Sequence, residues 1–167
     1  MIIRCEAQQV YGDLMGTPGL DRLEPLLSIV RPGGRVLEFD AGTGYRAFWL
    51  SFVVGLSGGV VAVSLRREHT RFAQKRYTHR NVSFEVGEGF ALSGETDGSF
   101  DGVVALQVAA PQAQRRLLVR ELARLVAPGG ALLVGLDDEG EVLAELEQIA
   151  EHSGAELRRY DGDKARD

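Results

Sequence analysis

The stretch "RVLEFDAGTGYRAF", residues 35–48, carries an apolar run into a glycine-containing turn and on into a second apolar segment. Its first part is short and largely apolar at successive positions, which is typical of a strand buried on both faces of a parallel sheet. Gly42 and Gly44 follow at once, and glycine allows a tight turn and a close approach of the backbone to a ligand. Asp40 stands where such turns usually have a glycine. The stretch therefore predicts a strand, a ligand-binding turn and a helix.

Three glycine pairs punctuate the chain in the same way, each before a short apolar run. They are Gly33-Gly34 before "RVLEFD", Gly58-Gly59 before "VVAVS" and Gly129-Gly130 before "ALLVGL". Two more runs of this kind are "VSFEV" at residues 82–86 and "FDGVVAL" at residues 100–106, and "AELRRY" near the end is a candidate sixth strand. Apolar runs of this length predict the strands of a buried sheet.

Segments with helical periodicity lie between these strands. Helices are predicted over residues 20–30, ending before Pro32, and over residues 45–54, which are apolar nearly all round and should pack deeply. Two more are predicted within "QAQRRLLVRELARLV" and over residues 141–151. This alternation predicts an α/β fold with a doubly wound, mostly parallel sheet of about six strands. Ligands of such sheets bind beyond the carboxyl ends of the strands, where the strand order reverses.

The composition narrows the class of protein. A chain of 167 residues with 44% hydrophobic and 26% charged residues predicts a single domain over 1–167, with an N-terminal extension at 1–19 and a polar tail at 161–167. The single cysteine, Cys5, excludes an internal disulfide framework and a cysteine-based zinc cluster. The three histidines lack metal-ligand spacing and are expected at the surface. We expect a cytoplasmic protein with no metal and no membrane segment.

The charges are distributed unevenly along the chain. Residues 66–80 contain six basic residues and one acid, whereas the segment from residue 137 onward contains eleven acids and four bases. A basic face beside an acidic tail could guide a polyanionic substrate, but a solvated helix surface explains the same pattern and is the expected explanation. Arginines at four-residue spacing in the third predicted helix also predict a solvated face: Arg116, Arg120 and Arg124.

The glycine turn is compatible with two nucleotide cofactors, of which the first is a dinucleotide. "GTGYRA" satisfies the dinucleotide pattern Gly-x-Gly-x-x-Gly/Ala. The next strand ends in "VSLRR", without a ribose-binding acid and with arginines that suit the 2′-phosphate of NADP. A nicotinamide enzyme would also need a substrate domain and a proton donor, for which this chain has little room.

Several motifs together resemble the class I S-adenosylmethionine-dependent methyltransferases over residues 33–136. "RVLEFDAGTGY" looks like the first motif of that family, and "VVAVSLRREH", "VSFEVGEGFAL", "GSFDGVVAL" and "LVAPGGALLV" follow in the family's order. The resemblance is to the protein isoaspartate methyltransferase branch and, nearly as well, to the tRNA adenine methyltransferases. It implies a Rossmann-like methyltransferase fold, here with a shortened C-terminal end, and S-adenosylmethionine as the cofactor.

The resemblance also implies a set of cofactor-binding residues, while the catalytic residues stay unknown. Glu38 would contact the methionine portion, Ser64 would face the ribose hydroxyls and Glu88 would accept from the adenine amino group. Phe90 would pack on the adenine ring, and Gln107 would lie near the methyl donor and acceptor. The whole set is Glu38, Asp40, Ala41, Gly42, Gly44, Ser64, Leu65, Glu88, Gly89, Phe90, Leu106 and Gln107.

Two departures from the family's pattern fall on the cofactor site. Asp40 replaces the first glycine of the turn, and Ser64 replaces the acid that accepts hydrogen bonds from both ribose hydroxyls. A serine lacks the charge-assisted pair of hydrogen bonds, a loss of roughly 1 to 3 kcal/mol. Two hypotheses remain open, a methyltransferase acting on an unidentified acceptor and a catalytically silent binding or partner domain, with NADP binding as a third.

The resemblance bears on partners as well. The N-terminal twenty residues are expected to be too few for a substrate lid, so an active enzyme would use its open surface for a macromolecular substrate or would rely on a partner subunit. A shortened sheet would expose hydrogen-bonding groups at its edge, which gives a reason for a homodimer.

Overall fold

The computed structural model describes residues 2–7, 24–87, 92, 94–106, 110–136 and 140–160. These residues form seven strands and five helices, and every pair of successive strands except β4 and β5 has a helix between them. In chain order they are β1 (Ile2–Ala7), α1 (Glu24–Ile29), β2 (Arg35–Phe39), α2 (Tyr45–Val54), β3 (Gly59–Ser64), α3 (Arg67–Arg76), β4 (Val82–Val86), β5 (Phe100–Ala105), α4 (Gln112–Arg124), β6 (Val126–Leu136), α5 (Glu141–Ser153) and β7 (Glu156–Tyr160). Among them, no helix is long and apolar enough to cross a membrane.

The strands form one sheet in the order β4-β3-β2-β5-β6-β1-β7, and every neighbouring pair is parallel. The chain runs outward from β2 through β3 to β4 and then crosses to β5 on the other side of β2. The strand order therefore reverses at β2, where Glu38 pairs in register with Ala62 of β3 and Val104 of β5. The predicted doubly wound α/β fold is confirmed, and its switch point lies at the carboxyl end of β2, within residues 35–48.

Apolar side chains alternate between the two faces of the sheet. Val36 packs on one face among residues of α1, α2 and α3, whereas Leu37 packs on the other among residues of α4 and α5. Helices cover both faces, which explains why the strands are apolar at successive positions. The helix predicted over residues 45–54 is α2, and its buried positions are confined to one face. Its opposite face leaves Tyr45 and Phe52 more than half exposed, so it packs less deeply than expected.

The sheet has one strand more than the six expected, and the additional strand comes from the segment predicted as an extension at 1–19. Strand β1 pairs in parallel with β6 from Ile2 opposite Ala131 to Ala7 opposite Leu136. Its other edge pairs in parallel with β7, which is the candidate sixth strand "AELRRY". The sheet therefore extends beyond β6 by two strands, one from each end of the chain.

The arginine row of α4 is not simply a solvated face. Glu145 of α5 is buried, and its carboxylate accepts hydrogen bonds from Arg116, at 3.1 Å from Nε, and from Arg120. Arg124 binds Glu121 on its own helix and Asp97 in the segment before β5. A buried carboxylate needs cationic partners, and the arginines supply them while their side chains stay partly in water. The row therefore links α4 to α5 and to the approach to β5.

Candidate functional site

Glu38 is the buried acid at the carboxyl end of β2. Its side chain is 0% exposed, its Oε1 accepts a hydrogen bond from Arg46 Nε at 2.5 Å, and its Oε2 has no hydrogen-bond partner among the described residues. Burial raises the pKa of the Glu38 carboxyl, Arg46 opposes that shift, and the nearby Asp40 adds to it. A buried oxygen without a donor is costly, so this atom at the carboxyl end of β2 is a candidate ligand-binding group.

The turn after β2 is held by three backbone hydrogen bonds. Ala41 N donates to Val63 O at 2.9 Å, Gly44 N donates to Ala41 O at 2.9 Å, and Phe48 N donates to Gly44 O as α2 begins. Asp40 has φ 55°, the left-handed conformation that glycine adopts most easily. The aspartate therefore adopts a backbone conformation that favours glycine.

The two glycines of this turn have different roles. A Cβ atom at Gly42 would have no heavy atom within 4 Å, which fits a backbone open to a ligand. A Cβ atom at Gly44 would lie 2.6 Å from Phe84 Cε1 and 2.8 Å from Ala73 Cβ. Gly44 is thus required where the start of α2 packs against α3 and β4, whereas only Gly42 fits the expectation of close ligand approach.

Ser64 lies at the end of β3, where the ribose was expected, but its hydroxyl already has partners. The side chain is 3% exposed, and Oγ accepts a hydrogen bond from Arg66 N at 3.3 Å. This bond closes the turn into α3, because a serine hydroxyl readily bonds to the backbone two residues on. Leu65 is half-buried against the apolar cluster on the α4 and α5 side, while Arg66 and Arg67 are exposed.

The remaining predicted site residues divide into two groups. Ala41 and Leu106 are buried in the apolar cluster on the α1, α2 and α3 side, so their side chains serve the core and only their backbone can line the site. Leu106 O lies so close to Gly135 that a Cβ there would stand 2.2 Å away. The other four fall outside the described residues: Glu88, Gly89, Phe90 and Gln107.

Arg46, the hydrogen-bond partner of Glu38, is a candidate site residue that the sequence prediction did not include. It lies in the first turn of α2, eight positions after Glu38, and its side chain is 20% exposed. A basic residue just beyond a strand-end acid and a glycine turn was the available signal, because the turn brings the start of the helix back beside the strand.

The strand-end acid, the glycine turn and the switch point define a nucleotide-cofactor site on a doubly wound sheet. Residues 36–130 match the family described as Methyltransferase domain, and the chain belongs to that family. The family and the fold give S-adenosylmethionine as the cofactor. The described residues fit it, since Glu38 offers a buried acceptor and Gly42 an open backbone.

Individual relatives agree with this assignment. An arsenite methyltransferase of Aquipseudomonas alcaligenes is 32% identical in an alignment of 137 positions that covers 66% of this chain and 40% of that protein. Protein-L-isoaspartate O-methyltransferase 2 of Rhodopseudomonas palustris is 35% identical over 104 residues, 62% of this chain and 45% of that protein. A SAM-dependent methyltransferase of Aquifex aeolicus has the same fold, with a TM-score of 0.57, 20% identity and coverage of 86% of this chain and 87% of that one. The chain spans less than half the length of these two curated relatives.

Proposed function

We propose that this chain is an S-adenosylmethionine-dependent methyltransferase that transfers a methyl group to an acceptor not yet identified. The observation that carries the proposal is the Glu38 carboxylate, which is buried at the switch point and keeps one oxygen without a hydrogen-bond donor in the part of the chain that the structure describes. The relatives named above are methyltransferases and support the same reaction class.

The cofactor, when bound, supplies a methyl group on a positively charged sulfonium. Glu38 Oε2 would accept a hydrogen bond from the ammonium of its methionine portion, and Asp40 would add negative charge near the same end. The turn from Asp40 to Gly44 would fix the position of the donor against the strand ends. Transfer to a nucleophile depends on alignment and exclusion of water, so no dedicated acid or base is required of the chain.

A catalytically silent domain is the second candidate, and the Ser64 hydroxyl is the observation that favours it. That hydroxyl bonds to the Arg66 backbone, so the position holds no charged group for a ribose. A domain of this kind would keep the fold and act by binding a partner.

Calorimetric titration with S-adenosylmethionine, S-adenosylhomocysteine and NADPH separates the candidates. The methyltransferase proposal expects heat with the first two ligands, and a folded sample that binds neither would contradict it. If NADPH binds, Arg66→Ala and Arg67→Ala should weaken that ligand selectively; if they do not, the dinucleotide alternative is wrong.

Methyl transfer itself distinguishes an active enzyme from a silent binder of the same cofactor. Isoaspartyl peptide and arsenite, the acceptors for which two relatives are named, are the first to assay with radiolabelled cofactor. The Glu38→Gln variant is the control, and label that appears equally with this variant would not come from the proposed site.

A further inference from the structure

We infer that Arg46 recognises the carboxylate of the cofactor's amino-acid portion, so that Glu38 and Arg46 form a two-ended clamp for an α-amino acid zwitterion. The inference rests on the proposed function, because it concerns how the same site selects its cofactor. It assigns a specificity-determining role to a side chain that would otherwise be a structural counter-ion.

The hydrogen bonds of the pair leave one free group at each end. Arg46 Nε donates to Glu38 Oε1 at 2.5 Å, and none of the residues that the structure describes donates to Oε2 of the same carboxylate. A guanidinium has five N–H donors in a planar fork. Among the described residues none is recorded accepting a hydrogen bond from the Arg46 Nη atoms, and the side chain remains 20% exposed. The pair therefore offers an acceptor to an ammonium and donors to a carboxylate.

The spacing of these groups suits an amino acid. The ammonium and carboxylate of an α-amino acid are joined through a single carbon atom, so their partners must be adjacent. Glu38 and Arg46 are in direct contact, which makes their remaining donors and acceptor neighbours. Arginine is the side chain best matched to a carboxylate, because its fork can donate two parallel hydrogen bonds.

The charges at the site distinguish the clamp from the alternative in which Arg46 only neutralises Glu38. With both acids ionised, Glu38, Asp40 and Arg46 carry a net charge of −1, and Asp40 is close enough to Glu38 to raise the pKa of its carboxyl. If Arg46 only neutralised Glu38, this charge would favour a ligand that has lost its carboxylate and is more positive. The clamp requires the opposite preference.

Three nucleosides isolate the two ends of the clamp. S-Adenosylhomocysteine has both charged groups, 5′-deoxy-5′-(3-aminopropylthio)adenosine keeps the amine but lacks the carboxylate, and 5′-methylthioadenosine lacks both. Calorimetry on the wild-type chain should show S-adenosylhomocysteine binding about tenfold or more tighter than the aminopropyl compound, as expected for a charge-assisted pair. The ratio of the two dissociation constants measures the contribution of the carboxylate.

Substitutions assign each end to its residue. Arg46→Gln should reduce the ratio of the dissociation constants of the aminopropyl compound and S-adenosylhomocysteine to about one. Arg46→Lys keeps the charge beside Glu38 and should reduce this ratio partly. Glu38→Gln should instead remove the preference for the aminopropyl compound over 5′-methylthioadenosine. Arg71→Gln is the matched control, because Arg71 is an exposed arginine on α3 and its loss should leave both ratios unchanged.

The possible results separate this inference from the proposed function. Equal or tighter binding of the aminopropyl compound to the wild-type chain, or a preference that survives Arg46→Gln, overturns the clamp while leaving cofactor binding intact. A folded wild-type chain that binds none of the three nucleosides overturns both. Thermal melting of every variant confirms folding, and if Arg46→Gln does not fold, the ratio measured for Arg46→Lys decides: an unchanged ratio overturns the clamp.

Discussion

Gly44 and Phe84 are in contact across the interface between the start of α2 and β4, so closely that a Cβ on Gly44 would lie 2.6 Å from Phe84 Cε1. Gly42, two residues earlier in the same turn, has open space at the corresponding position. Both glycines have positive φ, 53° at Gly42 and 81° at Gly44. A glycine pair that looks uniform in sequence therefore combines a packing residue with one whose Cβ position is open.

Alanine substitutions should separate these two roles. Gly44→Ala adds a steric clash to the left-handed strain, and we expect it to lower the free energy of unfolding by about 3 kcal/mol. Gly42→Ala adds only the strain, about 1 kcal/mol, but places a methyl group where the cofactor approaches. Urea unfolding measures the first effect, and calorimetry with S-adenosylhomocysteine measures the second. Equal losses of stability would contradict the division of roles.

The pH dependence of stability should reveal the buried Glu38. Its folded-state pKa is raised above the ordinary value of 4.5, chiefly by burial. A carboxyl with a raised pKa stabilises the fold below its unfolded pKa, and that contribution is lost as the pH rises through the folded pKa. Relative to Glu38→Gln, the wild-type chain should therefore become progressively less stable as the pH rises above 4.5. Melting curves of the wild-type chain and of Glu38→Gln, measured as the pH rises above 4.5, test this prediction. A difference in melting temperature that stays constant with pH would be inconsistent with the raised pKa.

Glu145 should have the opposite pH dependence. Hydrogen bonds from Arg120, and to a smaller extent from Arg116, lower its pKa below the ordinary value, although burial opposes them. Its contribution to stability is present above the unfolded pKa and is lost as the pH falls through the folded pKa. Glu145→Gln should cost about 1 to 2 kcal/mol at neutral pH and remove part of the acid sensitivity. Glu151→Gln, an exposed change on the same helix, is the control and should do neither.

Local sequence patterns predicted the elements around the switch point, because these depend on side chains close together in the chain. The alternation of Val36 and Leu37 between two apolar clusters is such a pattern. The pairing of β1 with β6 was not predicted, because it depends on backbone hydrogen bonds between segments more than a hundred residues apart. The β1 segment contains the charged residues Arg4 and Glu6 and follows no glycine turn, so it gave no local sign of this pairing.

Site residues that depend on tertiary contacts were likewise harder to predict. The contact of Arg46 with Glu38 requires the exact geometry of the turn, and the burial of Glu145 between α4 and α5 requires the packing of two helices. Residue type alone marked Ser64 as a departure from the family, but only the structure shows its hydroxyl bonded to the Arg66 backbone.

Ser64→Asp should strengthen cofactor binding if the loss of the ribose acid is what weakens it. An aspartate can keep the hydrogen bond to the Arg66 amide with one oxygen and offer the other to a ribose hydroxyl. We expect about a tenfold gain in affinity for S-adenosylhomocysteine, which corresponds to one charge-assisted hydrogen bond. Adenine, which has no ribose, is the control ligand and should not gain. An unchanged affinity would show that the end of β3 does not reach the ribose.

Asp40→Asn tests whether the unusual acid of the turn assists the cofactor. Asparagine tolerates the left-handed conformation about as well as aspartate, so the substitution removes the charge without adding backbone strain. The Asp40 carboxylate acts on the charge of Glu38, and it should also attract a sulfonium bound at this end of the site. S-Adenosylmethionine carries that positive charge and S-adenosylhomocysteine does not, so their affinity ratio should fall by about three- to tenfold in the variant, as expected for one partly screened charge pair. Because the neutral ligand is an internal control, a ratio that does not change would mean that Asp40 fills a glycine position without acting on the methyl donor.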